Sequence, residues 1–144
     1  MISFSDADGM KVVSTSTAET VGKVHGFIVD VRGPNVIALQ LKKTDSGDIL
    51  RWSDVAAFGA DAITVADASK IGEGGDDLAP LLDKRNHVLK KRVLTTGGDE
   101  LGDVKDVEFD PATGGITSLH VGDRSVPGST LIGIGHYAVV VRTS

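Results

Sequence analysis

Lys11–Asp30 reads K-V-V-S-T-S-T-A-E-T-V-G-K-V-H-G-F-I-V-D, and Lys91–Asp110 reads K-R-V-L-T-T-G-G-D-E-L-G-D-V-K-D-V-E-F-D. Laid over one another without a gap, Val13 falls on Val93, Thr15 on Thr95, Val21 on Leu101 and Gly22 on Gly102. Val24 then falls on Val104, Phe27 on Val107, Val29 on Phe109 and Asp30 on Asp110. A repeat of this kind sets the architecture, because each copy must fold into the same unit. Two small β units in tandem are expected.

Gly22–Val31 and Val36–Lys43 are β-rich runs separated by Arg32-Gly33-Pro34-Asn35, a turn composition. The matching turn is Pro111-Ala112-Thr113-Gly114-Gly115. Val24, Phe27 and Val29 break strict alternation with a step of three and then two, and Val104, Val107 and Phe109 repeat the break. Keeping all three side chains inside requires an extra residue near Gly26 or Asp106, which predicts a β-bulge that bends each sheet. Ile37, Leu39 and Leu41, like Thr117, Leu119 and Val121, predict the next strand. A short strand follows (Ile49–Trp52 or Ser125–Val126), then a single turn of helix or 3₁₀ structure with Ser53-Asp54 as N-cap, and a closing strand (Ala62–Val65 or Ala138–Val141). In this stretch the copies align if the second loop is about four residues shorter, placing Val55 on Leu131 and Phe58 on Ile134.

Between the copies, Ile71–Asp77 is glycine-rich and acidic, a linker composition. Asp77–Leu89 predicts a short helix, with Pro80 in its first turn. The expected division is a first unit over 1–67, a linker with a short helix over 68–87, and a second unit over 88–144.

Among 144 residues, 18 glycines and few aromatics leave the core to Val, Ile, Leu and Ala. The absence of cysteine excludes disulfides and thiolate metal sites and suits a reducing compartment. Met1–Met10 carries Asp6 and Asp8 and lacks the basic start of a signal peptide. No apolar run approaches the roughly 20 residues of a membrane helix, so a soluble, cytoplasmic protein with no membrane span is expected. A net charge of −5 disfavours broad nucleic-acid affinity, which rests on neutralising phosphates.

The order of strand, bulged strand, turn, strand, short strand, helical turn and closing strand, centred on V-G-K-V-H-G-F-I-V-D and L-G-D-V-K-D-V-E-F-D, resembles the PRC-barrel family. That family includes the cytoplasmic domain of the photosynthetic reaction-centre H subunit and the C-terminal domain of a ribosome maturation factor. The resemblance covers about Met10–Asp67 and Val88–Arg142. It implies an all-β protein made of two small bent-sheet, open-barrel units related by a pseudo-twofold. It also implies a docking or assembly module of prokaryotic type rather than an enzyme. The chain departs from both named relatives, lacking the membrane helix of one and the RNA-associated domain of the other.

Residues that could carry chemistry do not assemble into a reactive pattern. His25, His87, His120 and His136 show no close ligand spacing. His25 and His120 sit at polar-phase strand positions and read as solvated. Asp99, Glu100, Asp103, Asp106, Glu108 and Asp110 alternate with apolar residues, as on the wet face of a half-buried strand. Asp6-Ala7-Asp8-Gly9 matches only the opening of a calcium loop, and Gly72-Glu73-Gly74-Gly75 lacks the Lys-Ser/Thr of a phosphate cradle. No catalytic residue, metal site or cofactor is expected.

One segment stands out: Lys84-Arg85-Asn86-His87-Val88-Leu89-Lys90-Lys91-Arg92 holds five of the fifteen Lys and Arg residues. Lys84, Arg85, Lys90, Lys91 and Arg92 are the candidate partner-binding residues. Either they dock an acidic protein, RNA or anionic lipid headgroups, or they pair with the acidic strand Asp99–Asp110. No aromatic residue interleaves with them to stack on bases, which disfavours nucleic acid. Trp52, whose counterpart is Gly128, either faces that glycine across the pseudo-twofold and plugs the seam between units, the favoured reading, or, if exposed, contacts a partner. Exposed strand edges must be covered by the other unit, by a second chain in a homodimer, or by an unidentified protein partner.

Overall fold

The computed structural model describes residues 2–42, 44, 47–73, 88–135 and 137–142. Among the described residues fourteen strands, β1 (Ile2–Ser3), β2 (Lys11–Ser14), β3 (Thr20–Asp30), β4 (Asn35–Lys42), β5 (Ile49–Arg51), β6 (Val55–Phe58), β7 (Ile63–Val65), β8 (Ile71–Gly72), β9 (Arg92–Thr95), β10 (Glu100–Phe109), β11 (Ile116–Val121), β12 (Arg124–Pro127), β13 (Leu131–Ile134) and β14 (Val139–Val141), form two sheets. The longest α-helix among the described residues is the single turn α1 (Phe4–Ala7), capped by the Ser3 hydroxyl, which accepts from the Asp6 N–H at 3.1 Å. The protein is all-β.

The two sheets share one order, β6-β7-β2-β3-β4-β5 in the first unit and β13-β14-β9-β10-β11-β12 in the second. Within each, a parallel pair (β2 with β7, β9 with β14) sits among antiparallel ones. The bulges fall where expected. Register slips between Val24 and Gly26 on β3 and between Val104 and Asp106 on β10. The extra residue keeps Val24, Phe27 and Val29, and likewise Val104, Val107 and Phe109, in the core.

The ungapped alignment holds from β3 onward and fails before it. Val12 and Val93 are the fully buried residues that pair with Gly22 and Gly102, so β2 corresponds to β9 with Val13 on Leu94, not on Val93. The hairpin turn is five residues in the first copy (Thr15–Glu19) and four in the second (Thr96–Asp99). Coincident Val and Thr identities conceal that deletion. Burial and hydrogen-bond register reveal it, because a one-residue slip exchanges the two faces of a strand. The later shortening is as expected: Leu39 pairs with Leu50, and Leu119 with Val126.

Other expectations need correction. The expected single turn is of the 3₁₀ kind in both units, but it spans Trp52–Asp54 and Gly128–Thr130, so Ser53 and Asp54 lie inside the first turn rather than capping it, and Arg51 at the N-cap makes no side-chain cap. Both turns run straight into strands, β6 and β13, that the apolar pattern did not announce. Ile71–Gly72, taken as the start of the linker, forms β8 against β5. The helix expected over Asp77–Leu89 falls outside the described residues up to His87, and Val88 and Leu89 are not helical.

The units meet through their hairpin turns. The Val36 N–H donates to the Gly114 carbonyl at 2.8 Å, and the Ile116 N–H to the Pro34 carbonyl at 3.1 Å. Val36 corresponds to Ile116 and Pro34 to Gly114, so the contact is reciprocal, as a twofold demands. The bridge between Asn35 and Gly115 lies on that axis. One continuous hydrophobic core then runs through both sheets. At its centre Phe109 meets Phe4 (5.7 Å between centroids), Phe27 (5.9 Å), Trp52 (6.1 Å) and Phe58 (5.5 Å), while Phe4 and Phe27 stack at 4.0 Å. The N-terminal arm crosses the seam: β1 pairs with β10 at Ile2–Phe109 and Ser3–Glu108, inserting Phe4 from the first copy's leader against the second.

Candidate functional site: two grooves at the seam

The seam carries two grooves that correspond under the pseudo-twofold. Each lies between one unit's 3₁₀ turn and edge strand and the hairpin turn of the other unit. The first is lined by Trp52, Val55, Ala56, Ala57, Phe58, Pro111 and Ala112 and encloses about 320 Å³. The second is lined by Val31, Arg32, Gly33, Pro34, Ser129, Leu131, Ile132 and Arg142 and encloses about 560 Å³.

The grooves differ at one large side chain. Trp52 lines the first groove, its ring against Phe58 at 5.7 Å. Its counterpart Gly128 brings no side chain to the second groove. Trp52 faces Gly114 rather than Gly128: a Cβ on Gly114 would stand 3.1 Å from its ring, and Gly114 has a φ of +81°. Gly128 is fixed for its own reason, since a Cβ there would lie 2.1 Å from the Ile116 carbonyl oxygen. Plugging of the seam by Trp52 is therefore correct, and the glycine it meets is the one in the opposite hairpin.

The difference in chemistry follows from three more pairs. Arg32 corresponds to Ala112, Ile132 to Ala56, and Arg142 to Ala66. The first groove is uncharged. In the second, Ile132 is 42% exposed, and the Arg32 side chain is 87% exposed. Arg32 forms a forked ion pair with Asp30, Nη2 to Oδ2 at 2.7 Å and Nε to Oδ1 at 3.0 Å. That hydrogen-bonded guanidinium holds the Asp30 carboxyl below its ordinary range, and the carboxylate raises Arg32 in turn. Arg142 donates from Nη2 to the Ser129 carbonyl at 2.7 Å, anchoring its side chain across the 3₁₀ turn. No strand among the described residues pairs with the outer side of β13, or of β6.

Two further concavities are simpler. One of about 320 Å³ lies between Phe4, Asp8, His25, Phe27, Val88 and Leu89. The other gathers Ser3, Asp6, Asp106, Glu108 and His120, where His120 Nε2 lies 2.5 Å from Glu108 Oε1. His25 is exposed and His120 half-exposed, as expected for strand residues of polar phase. Asp106 accepts from the Ser5 N–H at 3.1 Å, which ties the N-terminal arm down. No group of acids and histidines among the described residues could hold a metal ion.

The basic segment divides. Lys84, Arg85 and His87 lie outside the described residues, as does His136. Lys90 is exposed and Lys91 half-exposed. Arg92 pairs with Glu100 at 3.5 Å, donates to the Tyr137 hydroxyl at 3.0 Å and lies over its ring at 4.5 Å. Arg92 thus faces an acid of its own unit. Arg32 and Arg142 do not stand out in the sequence because they lie far apart and neither belongs to a basic run; only the crossed hairpin brings them to one groove.

A duplicated, bulged sheet whose six strands share one order, with a 3₁₀ turn before the last hairpin, defines the class: two small mixed sheets, one curled into a half-barrel. Residues 84–143, which span the second unit, match the family model of the PRC-barrel domain. The first unit repeats its strand order and its bulge. No curated protein matches the chain. No helix among the described residues is long and apolar enough to cross a membrane.

Proposed function

We propose that the chain is a non-enzymatic protein-interaction module of PRC-barrel type, acting in the cytoplasm, with the seam grooves as its docking surfaces. The observation that supports this is the second groove, where an exposed Ile132, on a strand edge with no strand partner among the described residues, shares the lining with Arg32 and Arg142. Exposed apolar side chains beside arginines are the composition of interface hot spots. A rigid, shared core beneath them holds the backbone in place, so little ordering cost accompanies docking.

An RNA- or ribosome-associated role through 84–92 is the alternative. Arg92 supports it less than its charge suggests, because Glu100 and Tyr137 already engage it.

The test is retention of partners from native cell lysate on wild type, Ile132→Asp, Ala56→Asp and Lys90→Glu/Lys91→Glu, each shown to be folded by circular dichroism. A protein retained by wild type and lost from a groove variant supports the module. Retention that depends only on Lys90 and Lys91 and disappears after nuclease treatment assigns the RNA role. A protein held equally by all four removes the grooves from the account.

A further inference from the structure

Resting on that reading, we infer that the second groove takes an extended acidic segment of a partner protein, which adds a strand to the free edge of β13. The four-residue strand Leu131–Ile134 ends its sheet, so its outward N–H and C=O groups have no strand partner among the described residues. Such an edge recognises an extended chain through the backbone, and side chains along it choose the sequence. Here those side chains are Ile132, which calls for an aliphatic residue, and Arg32 and Arg142, which call for carboxylates.

Both guanidiniums keep donors for a ligand. Asp30 engages Nε and Nη2 of Arg32, leaving Nη1, and Ser129 engages only Nη2 of Arg142. Two guanidiniums against one carboxylate give this groove a positive balance on a chain of net charge −5. The other copy marks what is distinctive, because the counterparts of Arg32 and Ile132 in the first groove are Ala112 and Ala56, and that of Arg142 is Ala66.

Charge also separates the acidic partner from a second copy of this chain. In an isologous dimer built on β13, each residue meets the same patch of the other copy. That arrangement brings the arginines of one groove toward those of the other, and like charges facing each other oppose it. An acidic segment satisfies them.

A library of random dodecapeptides displayed on phage, selected on the full-length chain at low salt, tests this. Enrichment of peptides with acidic residues around an aliphatic one is expected. Their affinity should fall about tenfold or more in Arg142→Glu and Ile132→Asp, and fall less in Arg142→Gln. Amide resonances of Leu131–Ile134 should move on titration, with those of β6 unmoved. Enriched peptides without acidic bias, or binding indifferent to Arg32→Glu and Arg142→Glu, would overturn the inference. If such peptides are instead lost on Ala56→Asp, the interaction module stands and its site is the first groove. No enrichment on either groove counts against module and inference together. A concentration-dependent dimer abolished by Ile132→Asp assigns the edge to a second copy. Homopolymeric RNA bound and lost with Arg142→Glu, without peptide enrichment, assigns it to nucleic acid. Either result overturns the acidic-segment inference.

Discussion

Trp52 and Gly128 occupy the same place in the two units, at the head of the 3₁₀ turn, and the grooves beside them differ accordingly. Where Trp52 stands, the seam is closed by an aromatic plug and its lining is neutral. At Gly128 the backbone presses onto Ile116, the groove is wider, and arginines and isoleucine replace alanines on its walls. Duplication supplied two copies of one surface. The half that closes the core and the half that remains open have since been given opposite side chains. A fold held by one shared core permits that division, because stability can concentrate on one side of the axis while the other side stays exposed.

The aromatic hub gives the largest test of that asymmetry. Phe109 and Val29 are equivalent and both are buried, yet Phe109 touches four aromatic rings. Truncating Phe109 to alanine should lower unfolding free energy by about 3–5 kcal/mol. Val29→Ala, which removes two methyl groups, should cost about 2 kcal/mol. Urea denaturation of both variants measures the gap, and equal losses would show that the core is balanced about its axis after all.

Gly128 comes next. A methyl group placed 2.1 Å from the Ile116 carbonyl forces the 3₁₀ turn away from β11, which should cost about 1–3 kcal/mol. The same replacement at Gly59, an exposed position in the loop after β6 whose Cβ would lie 3.1 Å from the Ala62 carbonyl, should be much milder. A thermal melt of the two variants decides whether the second 3₁₀ turn depends on close backbone approach.

A smaller pair of effects lies in two turns where the copies trade glycine for another residue. The turn before the first strand of each unit has Gly9 (φ +80°) in one copy and Lys90 (φ +70°) in the other. The hairpin after that strand has Ala18 (φ +58°) and Gly98 (φ +88°). At these two turns each unit thus has one left-handed glycine and one left-handed ordinary residue. Left-handed backbone costs an L-residue about 1–2 kcal/mol, partly offset by the unfolded-chain entropy that a glycine adds. Gly98→Ala should therefore destabilise by about 1 kcal/mol, and Ala18→Gly should stabilise by about 0.5 kcal/mol. Opposite signs would show that Ala18 and Gly98 hold the same left-handed position, which follows the one-residue deletion in that hairpin.

That deletion also shows how much was legible in the chain. The repeat, the bulges at Gly26 and Asp106, the shorter second loop and the seam role of Trp52 could all be read, because each rests on apolar spacing or on glycine within one local stretch. The offset of β2 against β9 could not, since Val13 and Val93 match by identity while burial follows Val12. β6 and β13 were missed for a related reason: V-A-A-F and L-I-G-I are too short and too uniformly apolar to show a period. Arg32 and Arg142 were invisible as a pair, whereas the dense run Lys84–Arg92 attracted notice by composition alone. Proximity across a pseudo-twofold is a property of topology, and no window along the sequence contains it.

The smallest expected effect compares Asp30 with Asp110 at equivalent ends of the two hairpins. Each carboxylate accepts a backbone N–H two residues on, from Arg32 or Ala112, both at 2.9 Å, and asparagine would keep that acceptor. Only Asp30 also holds an arginine side chain. Its folded-state carboxyl lies below the ordinary value, chiefly through the Arg32 hydrogen bond. The resulting stability is present above the unfolded carboxyl value of about 3.9 and is lost as pH falls through the folded one. Melting temperatures of wild type and Asp30→Asn should therefore differ slightly at neutral pH and converge as pH drops below about 4. Solvent around Arg32 screens the pair and keeps the difference small. If Asp30→Asn tracks wild type at every pH, the ion pair adds nothing measurable to folding, and Arg32 is left with the ligand of the groove as its reason to be there.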